Sequence, residues 1–277
     1  LVLTADTITN DAVLSIVSPS IIIASANSNF ANSLKIGTGG TGTLDNALKN
    51  IAIGNGTINA ITTGDSNVCI GFESGNDITT SNSNVLIGLE AGSKIVAHTY
   101  GFNVAVGNHA LRGVVGSGGT NGQFNTALGA GALNLGGGAA AATVHNNVAI
   151  GTSCMENAST DGSKMTSANK NVCIGVSAGK KLRDAGQNVC IGHISGEDIT
   201  TGPSNTCIGY DSQPSAAGGD NQIVIGANAQ GQGDNKAVIG HTTITDVYMA
   251  SDASAALHCN TIELGHANDT TIARSGS

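Results

Sequence analysis

Hydrophobic and polar positions along this chain follow a five-residue phrase: an asparagine, Val or Thr, a small or apolar residue, then Ile, Leu or Val, and a glycine. It occurs at 67–71, 84–88, 103–107, 125–129, 147–151, 171–175, 188–192 and 205–209. Counting related units, glycines close it at Gly37, Gly54, Gly71, Gly88, Gly107, Gly129, Gly151, Gly175, Gly192, Gly209, Gly226 and Gly240. Successive spacings are 17, 17, 17, 19, 22, 22, 24, 17, 17, 17 and 14 residues. A unit of about 17 residues in series is the mark of a solenoid, in which stacked neighbours bury a continuous core that no single unit could.

Side chains alternate between the two faces of a strand, so the second and fourth positions share one face and the third points to the other. Both faces are apolar, which suits a parallel sheet. The bulky pairs, such as Val85 with Ile87 and Val189 with Ile191, are expected to fill the coil interior. The third position, mostly Ala or Cys, is expected to let a second and third copy of the chain approach. Each glycine is expected where the backbone turns with φ > 0 or passes close to a neighbour, and each Asn where it can adopt αL or bond its own backbone. A small residue three places after the glycine, as at Ser74, Ala91 and Ala110, predicts a second short strand. The expected fold is all-β: a parallel β-helix or β-roll solenoid of about 12 coils, homotrimeric.

Residues 221–235 (NQIVIGANAQGQGDN), running into KAVIGH, resemble the head repeat of trimeric autotransporter adhesins, whose heads are parallel left-handed β-rolls wound into a trimer. Longer units such as NVLIGLEAG resemble related repeats of bacteriophage tail fibres. Residues 257–275 (LHCNTIELGHANDTTIARS) resemble the stretch such fibres carry before a C-terminal intramolecular chaperone. The resemblance implies a structural shaft of a trimeric virion fibre acting in host attachment, located in the extracellular virion. Its implied partners are two further copies, other virion fibre proteins and a host cell-surface receptor, with glycans as one candidate. The alternative is the head of a trimeric adhesin on a bacterial cell surface. Three regions are expected: 1–32 as an N-terminal stem or attachment segment, 33–247 as the repeat region, and 248–277 as a C-terminal stem. The chain begins at Leu1 rather than Met and is expected to be part of something longer.

Forty glycines, 11% charged residues, 3% aromatics and no tryptophan depart from the composition of an enzyme core. A net charge of -8, with no basic cluster larger than Lys180, Lys181 and Arg183, argues against nucleic acid as a partner. No window reaches the ~18 consecutive apolar residues of a membrane helix, so membrane insertion is not expected. Of the six cysteines, Cys69, Cys173, Cys190 and Cys207 share the third position, where Ala52, Ala105, Ala127 and Ala149 stand in other units. They are expected to be buried, unbridged and interchangeable with alanine. Lys35 in that slot of the first unit, and Asn221 and Asn235 one place early in the last two, fit the atypical ends of a stack.

No histidine pairing, carboxylate pair or glycine-rich phosphate loop forms a catalytic set, so neither enzymatic activity nor a metal or cofactor is expected. The functional signal is where the units expand, over 89–170. In a stacked coil these expansions leave one corner as a lateral protrusion, and loops on a rigid scaffold are where binding residues collect. Three of the seven aromatics lie there. The candidate binding residues are His98, Tyr100, Phe102, Arg112, Phe124 and His145.

Overall fold

The computed structural model describes residues 32–37, 44–95, 101–113, 122–135, 143–157, 165–245 and 247. Twelve three-residue strands follow in chain order: β1 (Leu34–Ile36), β2 (Ile51–Ile53), β3 (Val68–Ile70), β4 (Val85–Ile87), β5 (Val104–Val106), β6 (Thr126–Leu128), β7 (Val148–Ile150), β8 (Val172–Ile174), β9 (Val189–Ile191), β10 (Thr206–Ile208), β11 (Ile223–Ile225) and β12 (Ala237–Ile239). They form one parallel sheet in sequential order. Register is residue on equivalent residue throughout, as with Cys173 on Cys190 and Cys190 on Cys207. The chain is an all-β parallel solenoid with one strand to each rung. Contacts divide it into a unit ending at His241, which holds every strand, and a second unit, Thr242–Ser277. The stem segments expected at 1–32 and 248–277 lie outside the described residues, apart from Asn32.

The rung glycines stand in one column. Gly54, Gly71, Gly88 and Gly129 have φ of 130°, 129°, 133° and 131°, a conformation that L side chains rarely adopt. A β-carbon on Gly88 would also run into the carbonyl oxygen of Gly107 one rung on. Both reasons expected for the glycine, positive φ and close approach, therefore apply at the same residue.

The two faces of the strand are the reverse of the expectation. The middle residue points inward: Ala52, Cys69, Leu86, Ala105, Ala127, Ala149, Cys173, Cys190, Cys207 and Val224 are fully buried. The flanking residues, mostly β-branched, point outward, and Leu128 and Ile223 are 44% and 45% exposed. The interior is too narrow for two bulky side chains per strand, and its remaining volume is filled from the turns by Ile58, Ile61, Ile78, Ile95, Leu111, Leu133, Met155, Leu182 and Ile199. The predicted second strand is absent among the described residues. Its place is taken by a turn with two left-handed residues, such as Glu73 (φ 52°) and Gly75 (φ 58°) around buried Ser74. These turns still bond rung to rung, Glu73 N–H donating to Asn55 C=O at 2.9 Å.

On eight rungs the size of the strand centre is inversely related to that of the fourth residue after the glycine. Ala52, Ala105, Ala127 and Ala149 are matched by Ile58, Leu111, Leu133 and Met155, whereas Cys69, Leu86, Cys173 and Cys190 are matched by Gly75, Gly92, Gly179 and Gly196. A β-carbon on Gly92 would sit 2.7 Å from both terminal methyls of Leu86, and one on Gly179 2.7 Å from the sulfur of Cys173. Ala and Cys at the strand centre are therefore not interchangeable on their own. On these eight rungs each belongs to a pair; after Cys207 the fourth place holds buried Gln213 instead.

The phrase-opening asparagines do not form turns; the left-handed residue is the one before, as at Ser66, Ser83 and Gln187. The asparagines are buried and build an amide ladder through the stack. From Asn67 to Gln222 each ladder residue donates its backbone N–H to the Oδ1 below, and up to Asn188 the side-chain amide donates to the same oxygen. Asn67 binds Asn50 at 2.9 and 3.1 Å, and Asn171 binds Asn147 at 2.9 and 3.1 Å. The second amide hydrogen reaches a loop carbonyl, as from Asn147 to Ala168 at 2.8 Å. Ser33 accepts at the start, and Gln222 takes the ladder position above Asn205. This accounts for the early asparagine at 221, which is the left-handed residue before Gln222 (φ 50°). At the other end half-buried Lys35 donates to the Thr57 carbonyl at 3.1 Å, and burial holds its pKa below the usual lysine value.

Cys69, Cys154, Cys173, Cys190 and Cys207 are buried and unbridged; Cys173, Cys190 and Cys207 stack in register on parallel strands, where parallel Cβ vectors are unsuited to a disulfide, and Cys69 stands between Ala52 and Leu86. Burial pushes the Cys69 thiol up to about 12. Cys173 is raised too, through the neighbouring thiols of Cys154 and Cys190 and through burial.

Candidate functional site

The structure brings some of the candidate residues together and separates others. Phe102 and Phe124 each immediately precede a ladder asparagine on consecutive rungs, so the 22-residue spacing places one ring above the other. Their centroids are 5.4 Å apart and their planes 7° from parallel. They remain 46% and 50% exposed. Both backbones are left-handed, at φ 48° and 57°, a conformation uncommon for a bulky residue. It is imposed by the loop bonds beneath: Phe102 N–H donates to Asn82 C=O at 3.2 Å and Phe124 N–H to Gly101 C=O at 3.1 Å.

On the next rung the same position is Asn146, also left-handed at φ 58°, with His145 before it. The Asn146 amide lies 2.8 Å from Nδ1 of His145. Gln123, Phe124, His145 and Asn146 line a shallow cleft of about 220 Å³. Gln123 and Asn146 were not singled out by sequence reasoning. The signal was available, since Asn146 occupies the same phase of the repeat as Phe102 and Phe124.

Arg112 does not join this group. It lies beyond β5 and the Gly107 turn, where its Nε is 2.6 Å from Glu90 Oε2; His109 Nε2 is 3.9 Å from the same oxygen. Its guanidinium is committed to a carboxylate one rung below. His98 and Tyr100 lie outside the described residues, as does the expected lateral protrusion.

Other exposed features lie elsewhere on the rungs. His193 and Tyr210, each directly after a rung glycine, stack with centroids 5.6 Å apart and planes 4° from parallel. Lys181 and Asp198 pair at 2.5 Å beside a second cleft that includes Thr200, Gln213 and Pro214. Among the described residues no group of three or more His, Cys, Asp or Glu could hold a metal ion, and no helix is long and apolar enough to cross a membrane. No family model matches the chain, and no curated protein is significantly similar to it.

Proposed function

We propose that this segment is the homotrimeric shaft of a virion fibre of the bacteriophage tail-fibre type, serving in host attachment as a rigid spacer that also carries receptor contacts. The observation that carries the reading is the outward face of the sheet. The two outward side chains of each rung form one stripe from Leu34 and Ile36 to Ala237 and Ile239, apolar at every position but Thr126 and Thr206, and many are more than a third exposed: Ile36, Ile51, Val104, Leu128, Ile174, Ile191, Ile223 and Ile239. Eleven rung intervals at ~4.8 Å give it a length of roughly 50 Å. Monomeric proteins rarely leave so long an apolar patch in water. A narrow stripe two side chains wide is suited to closing around a symmetry axis with identical stripes. The expected trimer contact thus moves from the small central residues, which are inside, to the β-branched residues beside them.

Light scattering should give close to three times the 27.3 kDa chain mass. Leu128→Lys together with Ile174→Lys should lower that mass while leaving the β-sheet circular dichroism intact. A wild-type monomer refutes the trimer. The adhesin-head alternative draws on the 14-residue interval between Gly226 and Gly240, the stretch that resembles adhesin heads. Adsorption separates the two: the purified segment of a phage fibre should bind bacterial cells and compete with phage adsorption, whereas an adhesin head should bind animal-cell matrix instead.

A further inference from the structure

We propose that the Phe102–Phe124 stack and the cleft beside it form a saccharide-binding subsite for an uncharged sugar ring. The inference rests on the host-attachment reading and names the ligand class and residues. Two bulky aromatics occupy a left-handed position that Lys49, Ser66, Ser83, Asn146, Lys170, Gln187, Ser204 and Asn221 fill on other rungs. The fold therefore does not require an aromatic there. Phenylalanine adds conformational strain and places apolar area in water, and such features cluster where a ligand is bound.

The geometry fits a sugar. The apolar C–H face of a pyranose packs on an aromatic ring while its equatorial hydroxyls need donors and acceptors at the ring edge. Beside Phe124, the cleft offers the Gln123 and Asn146 amides and the His145 imidazole. An amide both donates and accepts, which matches a hydroxyl that does the same. None of the four lining residues carries a fixed charge, so neutral hexoses fit better than sialylated, sulfated or phosphorylated ones. Stacking against Phe102 holds the Phe124 ring in place, so little ordering is left for binding to impose.

The test uses the full chain on a printed array of neutral and anionic oligosaccharides, with light scattering on each sample. The variants are Phe124→Ser, Phe102→Ser, His145→Ala and, as control, Phe72→Ser, another half-exposed aromatic directly after a rung glycine. Serine is what Ser83 and Ser204 provide at this position, so the fold should be kept. Wild type should bind a subset of neutral glycans. Phe124→Ser should weaken that binding about tenfold or more, as loss of an aromatic anchor does. Phe102→Ser and His145→Ala should weaken it less, and Phe72→Ser should leave it unchanged. The proposal is overturned if wild type binds no neutral glycan, if Phe124→Ser binds as tightly as wild type, or if the Phe variants lose binding only because they lose the oligomer. A monomeric wild type that still shows the predicted glycan pattern supports the subsite while refuting the trimer.

Discussion

Moving core volume between Leu86 and Gly92 should turn two damaging substitutions into a tolerated pair. Leu86 is fully buried, and Leu86→Ala should cost about 2.7–5 kcal/mol through lost transfer and the cavity left behind. Gly92→Leu alone should cost about 1–3 kcal/mol from overpacking, because its β-carbon would stand 2.7 Å from both Leu86 methyls and 3.1 Å from Ile95 Cδ1. A side chain at φ 60° adds about 1–2 kcal/mol. The double variant recreates the Ala105–Leu111 pair of the next rung, where Leu111 has φ 53°. Ile95 must shift, yet Ile58 and Ile61 are both buried on an earlier rung. Most of the residual cost should be the left-handed leucine, which leaves a coupling of about 4 kcal/mol or more, above the ~0.5–3 kcal/mol usual for contacting pairs. Stacked rungs do not unfold as one unit, so the assay is native-state hydrogen exchange by mass spectrometry on peptides covering 84–95, which reads local opening free energy. If the double variant loses as much protection as the two singles combined, the volume trade is not what fills the core.

Asn147→Ala should destabilise by about 3–5 kcal/mol, because it orphans the Ala168 carbonyl and the Asn171 backbone N–H, each a buried group costing ~1–3 kcal/mol unsatisfied; a loss below about 1 kcal/mol in guanidinium unfolding would show that the ladder is ornamental to stability. The Cys69 thiol is pushed up to about 12 by burial, so the folded state keeps its proton where the unfolded thiol, near ~8.5, releases it. Its contribution is therefore complete below about pH 8.5 and is lost as pH rises from there to 12. Cys69→Ser should make the unfolding midpoint less alkali-sensitive across that window.

The period, the parallel stacking and the glycine column were legible because they rest on rules that act locally: a glycine spacing and a backbone that must turn. Which face of the strand points inward was not. A three-residue strand with apolar residues on both faces fixes their alternation but not its sign, and ranking by size alone sends Val85 and Ile87 inside. What decides it is the turn: Ile78, Ile95 and Leu111 enter the interior from positions with no strand periodicity, leaving room for only one residue per strand. The asparagines were misread for a related reason. Asn is common in turns, and only the stack shows that Asn67 has an amide partner 17 residues away on either side. In the candidate site, aromatic enrichment pointed to Phe102 and Phe124, but only alignment by rung shows the rings stacked and leaves Arg112 with Glu90.

The asparagine ladder presents the same chemistry upward and downward at every step, which makes a rung an interchangeable part. Asn188 offers its Oδ1 to the backbone N–H of Asn205 as Asn171 offers its own to that of Asn188. Removing residues 188–204 would set Asn205 on Asn171 and Cys207 on Cys173, with every donor and acceptor of the joint already of the right kind. A gene encoding such a chain can lengthen or shorten by unequal recombination in 51-nucleotide steps, three for each of the 17 residues of a rung, without inventing a new contact. The number of rungs is then a quantity that selection can adjust by copying, separately from the side chains each rung displays.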